Sequence, residues 1–297
     1  MQTADVMFQK DMFSNVNLAQ LKPFFNYPGS KQKLAPWIVS HFPIKFNKYY
    51  EPFAGSAAVF LQMGKTGLFN TNTQHSHSLL ADSSPRIFSI YYAVKYHLES
   101  LLRELKSHQA QHSYNYCRKQ IKLNRTQDLS DIPSVSLAAR YIYLRSATLF
   151  SSCFSPRLTK NGVLRPYVPY IARIAASHDL LQNTQILLGS YSSIEPSEGD
   201  LIYCDPPYTN TTQGYSSSAW GQKDDIALRE NIARWIKAGA TVALSSNIST
   251  NISHLYAKDF ITYNIDYFYR NGFKSYPGYK DGTAKKQSTE LLFVSQR

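Results

Sequence analysis

The sequence predicts an α/β protein whose short strands alternate with helices in an open sheet. Apolar runs at Lys48–Phe53, Ser78–Ala81 and Asp200–Cys204 are typical of buried strands, and the first two are followed by turn residues and helical spacing. The alternation stops near residue 97 and returns after residue 182, which predicts a mostly helical region inserted in the sheet domain. A chain of 297 residues has room for both parts.

The first part of the predicted sheet domain spans residues 22–96. Apolar residues recur at helical spacing within Ser30–Phe42, and Gly55 separates the first strand from the next helix. Ser84 and Pro85 suit the N-cap and the first turn of a long helix. The predicted elements are a helix over Ser30–Phe42, a strand over Lys48–Phe53, a helix over Ser56–Met63, a strand over Ser78–Ala81 that ends at Asp82, and a helix from Ser84 to Lys106.

The middle region, residues 97–182, is predicted to be mostly helical. Amphipathic spacing indicates helices over Tyr114–Arg125 and Ser134–Phe150. An Asn-Gly dipeptide between two β-type runs indicates a hairpin over residues 154–168. The region is therefore predicted to be a separate module that interrupts the sheet domain.

The sheet pattern returns over residues 183–297. Asp224 is placed to cap a helix over Asp224–Ala238, and Gly239 is placed to end it. The predicted strands are Gln185–Leu188, Asp200–Cys204, Thr241–Ser246, Ile261–Tyr269 and Thr289–Ser295. Residues 22–96 and 183–297 are therefore expected to form one domain, in which residues 97–182 are inserted.

The charge of the chain is strongly positive and unevenly distributed. There are 32 Lys and Arg against 20 Asp and Glu, a net charge of +12. From Lys95 to Leu180 there are 13 basic and 5 acidic residues. Such an excess indicates a polyanionic partner such as nucleic acid, although a basic chain kept in solution by its charge explains the total equally well. The concentration in the middle region favours a module that faces a polyanion.

Composition also limits the class of protein. The three cysteines are widely spaced and form neither a disulfide framework nor a zinc pattern, which indicates a reducing, intracellular compartment. No window of about 18 apolar residues predicts a membrane-spanning helix. The N-terminal segment lacks the basic start and apolar block of a signal peptide. His75 and His77 are expected to lie in a solvated loop, and no metal site is expected.

The most specific motif is Asp205-Pro206-Pro207-Tyr208, directly after a predicted strand. Ligands of open α/β sheets bind beyond the carboxyl ends of the strands, and two prolines make this segment stiff. Asp205 and the Pro206 carbonyl can each accept a hydrogen from an exocyclic amine, while Tyr208 can lie against the ring that carries the amine. An amine held in this way has its lone pair available for attack. Taken alone, the motif is also compatible with an ordinary turn after a strand.

Two features nearer the N-terminus indicate a cofactor site. Glu51–Ser56 is a strand-to-helix turn whose small residues allow a ligand to approach the backbone. It lacks Gly-x-Gly-x-x-Gly spacing and a phosphate loop, which disfavours dinucleotides and triphosphates. Asp82 ends the next strand, where a carboxylate accepts the ribose hydroxyls of an adenosine-containing ligand. Taken alone, Glu51–Ser56 is also compatible with a packing turn, and Asp82 with a charge at a helix N-terminus. The order along the chain of these two features and the Asp205–Tyr208 motif favours a ligand site.

Together these residues resemble the Dam-type, or D12-class, DNA N6-adenine methyltransferases. The resemblance covers about Pro23 to Val294 and implies a Rossmann-like class I methyltransferase sheet with an inserted target-recognition domain. Gly-Ser in the cofactor loop departs from the Gly-Gly of many relatives, and the hairpin does not match the GATC readers closely enough to assign a site. The segments similar to family motifs are Asn26–Lys31, Glu51–Ser56, Leu80–Pro85, Phe154–Tyr167, Asp200–Tyr203, Asp205–Tyr208 and Glu290–Phe293.

The resemblance implies S-adenosylmethionine as the cofactor and an adenine flipped out of duplex DNA as the target. The residues implied to bind the cofactor are Tyr27, Lys31, Glu51, Phe53, Gly55, Asp82 and Asp205. The residues implied in catalysis are Asp205, Pro206, Pro207 and Tyr208. The residues implied to bind DNA are Arg118, Lys119, Lys122 and Arg125, as phosphate contacts, and Arg157, Lys160 and Arg165, as base contacts. For the first four of these basic residues, a solvated helix face is an equal alternative.

Within the implied cofactor site, Phe53 and Gly55 are expected to line the ligand, Glu51 to approach the methionine ammonium and Asp82 to hold the ribose. Tyr27 and Lys31 are expected over either the methionine end or the target phosphate.

Two other functions are compatible with the sequence. An RNA adenine methyltransferase is one, because the chemistry of the catalytic motif does not depend on the sugar. A catalytically silent nucleic-acid-binding relative is the other, and the intact Gly55, Asp82, Asp205 and Tyr208 disfavour it. The expected protein is a monomer that acts on double-stranded DNA in the cytoplasm of a prokaryotic or phage-infected cell, without a membrane partner. Any cognate restriction endonuclease is expected to act separately.

Overall fold

The computed structural model describes residues 18–69, 78–110, 114–123, 132–147, 168–208, 220–247, 255–256, 258–270 and 285–296. The chain divides into two compact units. The helical unit comprises Met1–Val39, Gly55–His75 and Pro85–Ile186, and the sheet unit comprises Ser40–Ala54, Ser76–Ser84 and Leu187–Arg297. The helical unit includes all of residues 97–182 together with segments outside them, and the assignment of residues 97–182 as a target-recognition insert stays a prediction.

The described part of the helical unit is built around a central helix, Val135–Ala147, which packs against the helices Pro85–Tyr96, Leu98–Ala110 and Tyr114–Leu123. Its core side chains include Leu101, Leu105, Ile142 and Leu144, none of which is exposed to solvent. Burying apolar side chains of this size is the main stabilising contribution to such a bundle. The helices are α1 (Ala35–Val39), α2 (Ala58–Thr66), α3 (Pro85–Tyr96), α4 (Leu98–Ala110), α5 (Tyr114–Leu123), α6 (Val135–Ala147) and α7 (Val168–Leu181).

Three predictions for this unit differ from the structure. The helix predicted over Ser30–Phe42 is the shorter α1, Ala35–Val39. The single helix predicted from Ser84 to Lys106 is two helices, α3 and α4, which meet at His97. The amide of His97 still bonds to the Ala93 carbonyl at 2.9 Å, and its carbonyl accepts the Leu101 amide at 2.9 Å, so backbone bonding continues through the junction. The predicted hairpin is wrong at its last residue, because Val168 begins helix α7, for which there was no prediction.

The rest of the predicted hairpin, residues 154–167, lies outside the described residues.

The described residues form a sheet of seven strands: β1 (Tyr49–Glu51), β2 (Ser78–Asp82), β3 (Thr184–Leu188), β4 (Leu201–Cys204), β5 (Thr241–Asn247), β6 (Phe260–Arg270) and β7 (Lys285–Ser295). Their order in the sheet is β3-β2-β1-β4-β5-β7-β6. Strand β1 is parallel to β2 and β4, and β4 is parallel to β5, whereas β7 runs antiparallel to both β5 and β6. The predicted α/β class is confirmed.

One helix of the sheet unit, α8 (Gln222–Lys237), packs its apolar side on the sheet. Leu228, Ile232 and Trp235 are buried there, and the Trp235 indole donates a 3.0 Å hydrogen bond to the Ile194 carbonyl. The N-cap of α8 is Gly221 rather than the predicted Asp224. The Asp224 carboxylate instead accepts the Gly221 amide at 2.8 Å from inside the first turn, which is the reciprocal half of a capping box.

Gly239 ends α8 as predicted, with a φ of +89°. None of the described helices is both long enough and apolar enough to cross a membrane.

Candidate active site

Three predicted carboxylates stand at the same edge of the sheet. Glu51 is the last residue of β1, Asp82 is the last residue of β2, and Asp205 directly follows β4. Because β1 is the parallel neighbour of both other strands, their carboxyl ends meet at one edge. This is the edge at which open α/β sheets bind ligands.

The Asp205–Tyr208 segment leaves this edge and reaches the antiparallel strand β7. The Tyr208 hydroxyl donates a hydrogen bond to Oε1 of Glu290, which pairs with Asn247 on β5 and with Ile265 on β6. Burial raises the pKa of Tyr208 well above its ordinary value, and the charges of Asp205 and Glu290 raise it further. The phenol is therefore neutral at physiological pH and acts as the donor.

Glu290 belongs to a segment similar to a family motif, Glu290–Phe293, but no role in the site was predicted for it. Its side chain is only 2% exposed, in a strand whose next four residues are apolar and buried. A carboxylate buried in this way is costly unless it is hydrogen-bonded. Its position directly before the apolar residues Leu291–Val294 was the available signal.

The electrostatic character of the edge is negative. Tyr203 lies on β4 with its hydroxyl 2.8 Å from Ser245 Oγ. Burial is the largest cause of the raised pKa of Tyr203, and the charges of Asp205, Glu51 and Glu290 raise this pKa further. Three carboxylates therefore act on one buried phenol, and a cationic ligand would be favoured beside them.

Glu51 is held in place from its own strand. The Tyr49 hydroxyl donates a 2.7 Å hydrogen bond to Glu51 Oε2, and the glutamate is 3% exposed. Burial, followed by the Glu51 charge, raises the pKa of Tyr49 well above its ordinary value. The donor is therefore permanent at physiological pH, and it fixes the direction of the carboxylate.

Asp82 is oriented by the backbone that follows it. Its Oδ1 accepts the Ser84 amide at 2.8 Å, and its main-chain carbonyl accepts the Gly189 amide at 3.2 Å. These bonds fix the half-buried carboxylate between the ends of β2 and β3.

Phe53 belongs to an aromatic cluster with Tyr191 and Trp220. The ring centroids lie 5.3 Å apart for Phe53 and Tyr191, 5.8 Å for Phe53 and Trp220, and 6.2 Å for Tyr191 and Trp220. The Trp220 indole donates a 2.7 Å hydrogen bond to Asp225 Oδ1, which holds its ring. Tyr191 and Trp220 were not singled out from the sequence. The position of Tyr191 shortly after a predicted strand was the only available signal, and none marked Trp220.

The other predicted cofactor residues belong to the helical unit. Gly55 has a φ of +45°, and a Cβ added there would lie 2.8 Å from Cε1 of Tyr27. The Gly55 carbonyl accepts the Tyr91 hydroxyl at 2.8 Å. Lys31 is 7% exposed, and its ammonium donates to the Gly29 carbonyl at 3.3 Å. Within this unit, Gly55 thus makes room for the Tyr27 ring.

Few of the predicted DNA contacts can be described. On α5, Lys119 is exposed and Arg118 is half-buried. The remaining predicted contacts lie outside the residues and side chains that the structure describes, and they stay predictions: Lys122, Arg125, Arg157, Lys160 and Arg165. Over the described part of the chain, no group of three or more His, Cys, Asp or Glu could hold a metal ion.

Comparison with known families decides the class of protein. The model of the D12 class N6 adenine-specific DNA methyltransferases matches residues 27–271. The chain belongs to this family. The matched span begins at Tyr27 and contains Glu51, Asp82 and Asp205–Tyr208, so it includes the described carboxyl edge of the sheet.

Curated relatives agree with the family. The chain is 26% identical over 275 residues to the Type II methyltransferase M1.LlaDCHI of Lactococcus lactis subsp. cremoris, covering 87% of this chain and 92% of the relative. It is 23% identical over 287 residues to the Retron Ec67 DNA adenine methylase of Escherichia coli, covering 93% and 92%. It is 25% identical over 256 residues to a DNA adenine methylase of Vibrio cholerae serotype O1, covering 79% and 84%. The D12-class chain is a DNA adenine methyltransferase, and the family supports DNA over the RNA alternative.

Proposed function

We propose that this D12-class enzyme transfers the methyl group of S-adenosylmethionine to N6 of an adenine flipped out of duplex DNA. The observation that carries the proposal is the meeting of Glu51, Asp82 and Asp205 at the carboxyl edge of the sheet. We also propose that the enzyme is a monomer in the cytoplasm of a prokaryotic or phage-infected cell, and that any cognate restriction endonuclease is a separate protein; relatives of the chain come from bacteria, a phage and a virus.

The residues of the sheet unit fit this cofactor by their chemistry. A negative edge suits a ligand that carries an ammonium and a sulfonium group, and Glu51 would face the ammonium. Asp82 would accept the ribose hydroxyls, and the cluster of Phe53, Tyr191 and Trp220 would offer flat apolar surfaces to the ligand. When bound, the cofactor supplies an electrophilic methyl group. For Tyr27, Lys31 and Gly55, the cofactor role stays a prediction based on the family resemblance.

The catalytic segment would act by position and charge. Asp205 and the Pro206 carbonyl would each accept one hydrogen of the N6 amine, while Tyr208 stacks on the adenine ring. Pro206 and Pro207 hold the acceptors in place before the base arrives. The attacking nitrogen becomes an acidic ammonium, so its proton leaves without a strong base. Stacking of about 1–3 kcal/mol per base would partly offset the cost of flipping the adenine.

DNA affinity is assigned to the basic region at residues 97–182. The exposed Lys119 and the neighbouring Arg118 suit phosphate contacts, which fix register but not sequence. Lys122 and Arg125 would extend this contact, and Arg157, Lys160 and Arg165 would read base edges from the predicted hairpin.

The experiment is methylation of an unmethylated plasmid of mixed sequence, followed by single-molecule mapping of N6-methyladenine. One short motif should carry the mark. The variant Asp205→Ala should leave no mark. The matched control is Asp259→Ala. Asp259 forms an ion pair with Arg229 and directly precedes β6, at the edge of the sheet opposite the carboxyl ends of the parallel strands. This variant should methylate DNA as the wild type does. If the Asp205→Ala variant methylates the plasmid as well as the wild type does, the catalytic assignment of Asp205 is wrong. If the wild type methylates structured RNA of the same sequence in preference to duplex DNA, DNA is not its substrate.

A further inference from the structure

We propose that Glu290 is a positioning residue for methyl transfer, which holds the Tyr208 ring in the plane needed to stack on the target adenine. This inference rests on the proposed function of Asp205–Tyr208. Glu290 would not touch the base or the cofactor, but would act through the Tyr208 hydroxyl that it accepts.

The geometry fixes Tyr208 at both ends of its side chain. At the backbone end, Pro206 and Pro207 restrict the main chain just before it. At the hydroxyl end, the acceptor is on β7, which lies between β5 and β6 in the sheet. A ring held only by its backbone could rotate about its side-chain bonds, whereas a ring also bonded to a strand has one orientation. The site is therefore ordered before a base enters it.

The chemistry of position 290 favours this role over simple packing. Leu291, Leu292 and Phe293 continue the strand and are buried, so an apolar side chain would fit the local pattern. A carboxylate that is 2% exposed brings a desolvation cost that an apolar residue would not bring. What the carboxylate adds is a directed, charge-assisted bond to one phenol.

The first test compares Glu290→Ala and Glu290→Gln with the wild type on a DNA duplex that contains the mapped motif. The alanine variant removes the acceptor, so kcat should fall about 10- to 100-fold, the size of effect that a misplacement of about 1 Å produces. The glutamine variant retains an acceptor oxygen and should recover most of the rate. The dissociation constant for S-adenosylmethionine should change less than about twofold in both variants, since a stacking fault affects the base and not the cofactor.

A double-mutant cycle with Tyr208→Phe tests whether the effect passes through the hydroxyl. Phenylalanine keeps the ring and removes the donor. If Glu290 acts through that donor, adding Glu290→Ala to Tyr208→Phe should lower kcat no further. Losses that multiply in the double variant would overturn the positioning role.

The control for folding is Val294→Ala, a buried residue on the same face of β7 that takes no part in the site. It should lower the melting temperature and leave kcat unchanged. A wild-type kcat for Glu290→Ala, or a kcat loss in Val294→Ala equal to that of Glu290→Ala, would overturn the inference. The wild-type rate in the same assay tests the proposed function separately, and a wild-type rate of zero would refute both.

Discussion

Replacing Gly55 with alanine should destabilise the protein more than the same change at Gly29, although both glycines have positive φ. Gly29 has a φ of +74° and no atom within 4 Å of an added Cβ. Gly55 has a φ of +45°, and its added Cβ would lie 2.8 Å and 3.1 Å from two atoms of the Tyr27 ring. The pair therefore separates the strain of the backbone from the clash with the ring.

The expected magnitudes follow from these two contributions. Alanine in the left-handed region costs about 1–2 kcal/mol, and the stiffer unfolded chain offsets about 0.4–1 kcal/mol of it. Gly29→Ala should therefore lower the free energy of unfolding by about 0–1.5 kcal/mol. At Gly55 the methyl group must also displace a packed ring, which costs about 1–3 kcal/mol more.

Urea unfolding followed by circular dichroism measures this difference. The double variant Gly55→Ala/Tyr27→Ala supplies the decisive comparison, because it removes the ring that the methyl group would meet. In the Tyr27→Ala background, Gly55→Ala should cost no more than Gly29→Ala costs in the wild type. Two results would contradict this explanation for glycine at position 55. One is an equal loss of unfolding free energy for Gly55→Ala and Gly29→Ala in the wild type. The other is an equal loss for Gly55→Ala with and without Tyr27.

Two further predictions concern buried tyrosines of the helical unit. Tyr91→Phe removes the buried hydrogen bond to the Gly55 carbonyl, so urea unfolding should show a loss of about 0.5–1.5 kcal/mol. Burial raises the pKa of Tyr143 from 10.0 to about 12, so the native state keeps its proton where the unfolded state loses it. The contribution of the Tyr143 phenol to the free energy of unfolding is therefore fully present below pH 10, and it is lost as the pH rises from 10 to about 12. The Tyr143→Phe variant should lose less stability than the wild type over that interval, and parallel pH curves would contradict this.

The sequence predicted those parts of the site whose position depends on local order along the chain. Asp82 and Asp205 each follow an apolar run, and parallel pairing of such runs is enough to bring their carboxylates to one edge. Glu290 and Trp220 could not be assigned in this way. The contacts of Glu290 with Tyr208 and of Trp220 with Phe53 join segments that are far apart in the chain, and no spacing within the chain encodes them.

Gly55 shows the limit of assigning a role from residue type. A small residue in the cofactor loop was expected to let a ligand approach. Gly55 also makes two contacts within the protein: it leaves space for the Tyr27 ring, and its carbonyl accepts a hydrogen bond from the Tyr91 hydroxyl. Weaker cofactor binding by Gly55→Ala would therefore have two explanations, a lost ligand contact and a displaced Tyr27 ring. If the displaced ring alone weakens binding, adding Gly55→Ala to Tyr27→Ala should cause no further loss of affinity. A further loss in that background would assign the glycine to the ligand itself.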